Sequence, residues 1–214
     1  MAQPLVAKHR LISHIVPVNL PNTITLCRLV LTAVFVGGAA LQSATGHWIA
    51  LVAFVVAAIS DWFDGYFARK YALVTPLGRL LDPVADKVLV CAAFVYLSAQ
   101  GRCPVWVTVL IVAREFLITG LRQIAIEAGQ VLSSDHLGKW KTGLQLGYCI
   151  TCLVWFAVMA TAGSTNPALR FLYYLSTPGG WLMPGFLWLA LTLTVVSGWN
   201  YMWANRALLT GKRR

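Results

Sequence analysis

Asp61, Asp64, Asp82 and Asp86 place four of the chain's seven acidic residues within residues 61–86. Asp61 and Asp64 stand at i, i+3, and Asp82 and Asp86 at i, i+4, so on helices each pair projects from one face. Four carboxylates at one level repel one another unless cations sit among them. An all-oxygen donor set with no His or Cys points to Mg or Mn rather than to zinc. The competing reading, that Arg69, Arg79 and Lys87 merely pair with the aspartates at a membrane edge, would suit one acid better than four at this spacing. Gly65 follows Asp64 directly, Ala68 lies one turn on from it, and Gly78 precedes Asp82 by one turn. Small residues on the acid-bearing face let a bulky group approach the backbone. A nucleotide diphosphate fits that space, with Arg69 at hand as a phosphate partner. Helix packing alone would also use small residues there.

The elements that carry these residues follow from composition. With 58% hydrophobic and 11% charged residues and a mean hydropathy of +0.70, the 214 residues read as one integral membrane domain, 1–214, and not as a soluble globule. Residues 1–20 form its N-terminal juxtamembrane segment. Six apolar runs, 23–42, 47–68, 79–99, 104–124, 140–162 and 183–205, each approach the roughly twenty residues that a bilayer requires. Gly37, Gly38 and Gly46 mark one break, Gln100, Gly101 and Pro104 another, and residues 163–184, with Asn166, Pro167, Pro178, Gly179, Gly180 and Pro184, the last. The expected fold is all-α: six transmembrane helices around a cytoplasm-facing polar cavity, since irregular backbone cannot face lipid. Pro83 falls near the expected start of the third helix, where a missing N–H costs little.

Basic residues orient the bundle. Lys8, Arg10, Arg69, Lys70, Arg79, Lys87, Arg122, Lys139, Lys141, Arg206, Lys212, Arg213 and Arg214 gather on one side, and the opposite turns hold only Arg102 and Arg170. The positive-inside bias therefore puts both termini and the four aspartates in the cytoplasm. Topology and attraction to anionic membrane lipids account for the net charge of +10 without a nucleic-acid partner. Residues 5–16 read as a short interfacial helix. A cleaved signal peptide fits less well, because Arg28 interrupts the apolar run. Cys149 and Cys152 form a CxxC that, in an apolar helix, serves packing rather than metal or redox chemistry.

Counted from the outer helix ends at about 1.5 Å per residue, Arg28, Asp61 and Asp86 lie about 20 Å deep, Arg114 and Glu115 about 15 Å and Arg122 about 27 Å. Four helices thus bring charge into the cytoplasmic half of a core about 30 Å thick.

The string from Asp61 through Arg69, then Gly78, Asp82 and Asp86, resembles the signature of the CDP-alcohol phosphotransferases, D-x2-D-G-x2-A-R-x8-G-x3-D-x3-D, at all eight fixed positions. Asn19 to Arg28, Leu81 to Val90, Ala113 to Glu115, Leu121-Arg122 and Gly138 to Thr142 are similar to the bacterial branch of that family that forms phosphatidylglycerophosphate. The likeness runs from about residue 19 to residue 145. It implies transfer of a phosphatidyl group from CDP-diacylglycerol to sn-glycerol 3-phosphate, with release of CMP, in a bacterial inner membrane. It implies further that Asp61, Asp64, Asp82 and Asp86 hold the metal pair and that Asp86 takes the acceptor's proton. Asn22, Thr25, Arg28, Gly65, Ala68, Arg69 and Gly78 would then line the CDP site.

An acceptor that brings a dianionic phosphate calls for cations not claimed by the aspartates. Arg114, Arg122, Lys139 and Lys141 are the candidates, with Glu115 and Arg122, at i and i+7, on a shared face. The competing role for Lys139 and Lys141 is anchorage to anionic headgroups. Other acceptors, such as inositol phosphate, serine or phosphatidylglycerol, remain open, because the shared signature handles nucleotide and metal rather than acceptor. A cation transporter would use an acidic cluster as its ion site, but this chain lacks inverted halves with paired broken helices. A homodimer is left open, and residues 146–214 carry no legible chemistry beyond further helices.

Overall fold

The computed structural model describes residues 20–71, 76–127, 136–161, 166–204 and 206, with side chains for these except 20–25, 61–71, 76–86, 126–127, 136–137 and 139. The interfacial helix expected over 5–16 lies outside the described residues. Among the described residues the chain is all helical: α1 Leu20–Ala40, α2 Ala44–Tyr71, α3 Pro76–Ala99, α4 Val105–Glu127, α5 His136–Ala160, α6 Pro167–Ser176 and α7 Leu182–Ala204. The six long helices coincide with the six apolar runs. Two of them, over Trp140–Ala160 and Leu182–Ala204, are long and apolar enough to cross a membrane by length and composition.

Helices α1 and α2 form a close hairpin. A Cβ on Gly46 would fall 2.6 Å from the Gly38 carbonyl oxygen, and one on Gly38 would fall 2.9 Å from the Gly46 carbonyl, so only two glycines allow this approach. Gln42 turns the chain between them with φ of 46°. Between α3 and α4, Gly101 takes φ of 67°, and the next N–H, of Arg102, bonds back to the Leu97 carbonyl at 2.8 Å, a left-handed stop in the manner of a helix C-cap. The Tyr148 hydroxyl of α5 donates to the Arg102 carbonyl at 2.6 Å, and the Arg102 guanidinium lies 4.0 Å from the Trp155 ring centre. Both contacts tie this turn to α5.

Phe35, Phe54, Phe94, Leu97, Ile111 and Leu153 are among the fully buried side chains of one core shared by α1 to α5 and α7. Cys149 and Cys152 are buried, unlinked members of the same core, as their place in an apolar helix leads one to expect. Outside it, Val52, Val56 and Ile59 of α2 and Trp188, Val195 and Trp199 of α7 are exposed. Apolar rows on the outer surface of helices suit contact with lipid, where hydroxyls must be satisfied internally. Accordingly Thr32, Thr151, Thr161 and Thr194 each donate to a carbonyl four residues back, at 2.6–2.8 Å.

Two expectations need correction. The segment 163–184, read as a break, contains α6: Asn166 caps it by accepting from the Ala168 N–H at 2.9 Å, and Pro167 occupies the first turn. The Asn-Pro pair is a helix-start signal that the flanking prolines and glycines obscure. Helix α3 starts at Pro76, so Pro83 lies about two turns in and not at the helix start. There it withholds the N–H that the carbonyl of residue 79 would otherwise accept from.

Candidate active site

Asp61 and Asp64 stand near the end of α2, and Asp82 and Asp86 in the first half of α3. Both segments are continuous helix, so the i, i+3 and i, i+4 spacings do put each pair on one face. Gly65, Ala68 and Arg69 follow on α2, and Gly78 precedes Asp82 by one turn on α3. The side chains of all these residues lie outside the described set. Helices α2 and α3 are in contact, and both pack against α1. Asn22 and Thr25 occupy the start of α1, their side chains likewise outside the described set, whereas Arg28 is buried at 3% exposure.

One residue beyond Asp86, the described side chains take up the charge. Lys87 of α3 reaches Glu115 of α4, Nζ to Oε2, at 3.2 Å. Lys141 of α5 donates to Oε1 of the same carboxylate. Arg114 lies 3.7 Å from that oxygen through Nη1 and donates from Nη2 to the Ser197 hydroxyl of α7 at 3.0 Å. Glu115 and Lys141 are each 2% exposed at the side chain, Arg114 16% and Lys87 30%. A lone carboxylate in an apolar helix is costly unless paired and hydrogen-bonded, and here three helices converge on it. Next to this node, the Gln145 amide of α5 donates to the Thr194 hydroxyl of α7 at 3.3 Å.

The four cations expected at the acceptor phosphate are therefore disposed differently. Arg114 and Lys141 belong to the Glu115 node. Arg122, seven residues past Glu115, is exposed. Lys139 lies in the first turns of α5 with its side chain outside the described set. Sequence reasoning missed Glu115 as a hub and used Lys87 for topology, with pairing to the aspartates as its competing role. The signal was available in part, because a single acid within the apolar run 105–124 demands a partner. Ser197 gave no such signal, and through it the last helix reaches the Glu115 node.

These features coincide with what comparison with known proteins finds. The family model for CDP-alcohol phosphatidyltransferase matches residues 18–196. The CDP-diacylglycerol–glycerol-3-phosphate 3-phosphatidyltransferase of Bacillus subtilis (strain 168) is 37% identical over 201 residues, covering 87% of this chain and 95% of that protein. The Rickettsia bellii protein of the same name is 35% identical over 183 residues, covering 86% and 93%. A probable phosphatidylglycerophosphate synthase of Mycobacterium tuberculosis (strain ATCC 25618 / H37Rv) is 43% identical over 132 residues, 59% of this chain and 62% of the other. The family match spans the aspartate-bearing parts of α2 and α3, and the chain belongs to the CDP-alcohol phosphatidyltransferase family.

Proposed function

We propose that this protein transfers the phosphatidyl group of CDP-diacylglycerol to sn-glycerol 3-phosphate, giving phosphatidylglycerophosphate and CMP in phospholipid biosynthesis. The observation that carries the reading is the juxtaposition on α3 of the aspartate signature, ending at Asp86, with a cation-rich node that begins at Lys87. One half of that arrangement suits a diphosphate-bearing donor, the other a phosphate-bearing acceptor. The near full-length relatives that bear the corresponding name support the same substrates.

The donor set fits a hard divalent ion: four carboxylates on two touching helices, with spacings that put each pair on one face. Asp61, Asp64, Asp82 and Asp86 would hold two such ions, Mg or Mn, which when bound neutralise the diphosphate and stabilise the leaving oxygen. Asn22, Thr25, Arg28, Gly65, Ala68, Arg69 and Gly78 would line the CDP site, the small residues leaving room for it. Asp86 takes the proton from the acceptor's carbon-1 hydroxyl as its oxygen bonds to the phosphorus attached to the lipid. The phosphorus–oxygen bond to CMP breaks, and CMP departs with the electron pair. Arg114, Arg122, Lys139 and Lys141 hold the acceptor's phosphate.

In this reading the chain is one domain of six transmembrane helices, with the site in a polar cavity open to the cytoplasm, both termini cytoplasmic, and the bacterial inner membrane as its location. Surrounding lipids are its remaining partners, and a homodimer stays open. The test is purified protein with CDP-diacylglycerol, Mg or Mn, and a panel of alcohols. Glycerol 3-phosphate should release CMP fastest; faster release with inositol phosphate, serine or phosphatidylglycerol overturns the acceptor assignment, and no release with any alcohol overturns the enzyme.

A further inference from the structure

We propose that Glu115 is a positioning residue for the acceptor: its buried carboxylate holds Lys87, Arg114 and Lys141, from three helices, as one fixed cationic array that begins on α3 one residue beyond Asp86. The inference rests on the reading that glycerol 3-phosphate is the acceptor.

A structural ion pair in a membrane helix needs one partner for one carboxylate. Glu115 has three cations around it, Lys141 on Oε1, Lys87 on Oε2 and Arg114 beside Oε1. One cation neutralises one carboxylate, and gathering three at one point suits an anionic group such as a phosphate. Without the carboxylate the three cations would repel and swing apart; with it they are pinned, and both carboxylate oxygens are used. Arg114 is held from its other side by Ser197, so the array is rigid on the α7 side as well. It is closed at Glu115 and Lys141, each 2% exposed, and most open at Lys87, 30% exposed. Lys87 is also the residue that directly follows Asp86, the proposed proton acceptor. An anion drawn to the open member thus arrives at the level of α3 at which Asp86 stands, about halfway along the helix. Glu115 touches neither substrate in this scheme and acts through the three cations.

The experiment is steady-state kinetics of Glu115→Gln, which keeps the shape and removes the charge. The expected result is a rise in KM for glycerol 3-phosphate of about tenfold or more, with KM for CDP-diacylglycerol within about twofold of the parent, the pattern of lost acceptor binding. Glu115→Asp should recover part of the loss. In a Lys141→Met background Glu115→Gln should add little, because both changes remove the same anchor. Equal rises in both KM values, an unchanged acceptor KM, or full additivity with Lys141→Met overturns the proposal. If Glu115→Gln does not yield folded protein, Lys87→Gln takes its place and must show the same split. Arg122→Gln and Lys139→Gln separate the two levels: if they raise acceptor KM while Glu115→Gln does not, this inference alone fails. If none of the three does, the phosphate-site reading fails with it.

Discussion

Arg114 of α4 donates a hydrogen bond from Nη2 to the Ser197 hydroxyl of α7 at 3.0 Å, across 83 positions of sequence. The neighbouring Gly198 makes room for it, since a Cβ there would stand 3.2 Å from Arg114 Cγ. Helix α7 thus cradles the guanidinium that also faces Glu115, and the last third of the chain, apolar as it is, helps to shape the site.

Replacing Ser197 with Ala should cost roughly 1.5–3 kcal/mol of stability, the net worth of a hydrogen bond from a charged donor. Gly198→Leu should act more on function, because its side chain must displace Arg114. The expected outcome is a raised KM for glycerol 3-phosphate with KM for CDP-diacylglycerol unaltered. A normal acceptor KM in Gly198→Leu would show that the position of Arg114 does not matter to the acceptor.

The α1–α2 hairpin offers a test of packing independent of chemistry. Gly46→Val brings a branched side chain to a point 2.6 Å from the Gly38 carbonyl oxygen, an overpacking expected to cost roughly 1–3 kcal/mol. Thermal inactivation of the purified protein should shift to lower temperature, and the fraction still folded should retain both parental KM values. Unchanged thermal stability would mean that the helices do not meet there.

How much of this was legible in the sequence depends on the range of the interaction. The six long helices are legible because a run of apolar residues can be counted locally; their starts fall a few residues earlier than most of the runs because backbone hydrogen bonding does not stop where the apolar stretch does. Asp61, Asp64, Asp82 and Asp86 are legible because their spacing is itself the signal. The Glu115 node is not, since Lys87, Lys141 and Ser197 reach it from other helices, and periodicity assigns a residue to a face without naming what that face meets. Helix α6 escaped because its Asn166-Pro167 start is embedded among residues that elsewhere end helices.

On the proposal that the aspartates hold divalent ions, Asp61→Asn, Asp64→Asn and Asp82→Asn should each nearly abolish transfer by removing charge from that site, while protein yield stays close to the parent's. Activity above about a tenth of the parent's at saturating metal, a loss under roughly 1.4 kcal/mol, would remove that residue from the central ligands.

Asp86→Asn should separate binding from chemistry. A base is needed for proton removal more than for holding the nucleotide, so turnover should be lost with CDP-diacylglycerol binding at least partly kept. Affinity and rate falling together would instead make Asp86 chiefly a ligand.

Arg122 and Lys139 test the mouth of the acceptor site. Arg122 is exposed near the end of α4, and Lys139 lies near the start of α5, so both stand at the helix ends that a water-soluble acceptor meets first if that side is cytoplasmic. A charge-assisted contact is worth roughly 1.5–3 kcal/mol, so neutralising a cation in direct contact with the phosphate should raise acceptor KM about tenfold to a hundredfold. KM for CDP-diacylglycerol should hardly move, provided the contact is equal in ground and transition states. Arg122→Gln and Lys139→Gln are the variants to make, with initial rates measured against each substrate in turn. If both leave acceptor KM unchanged, the phosphate is held elsewhere, and these two cations serve only topology and attraction to anionic headgroups.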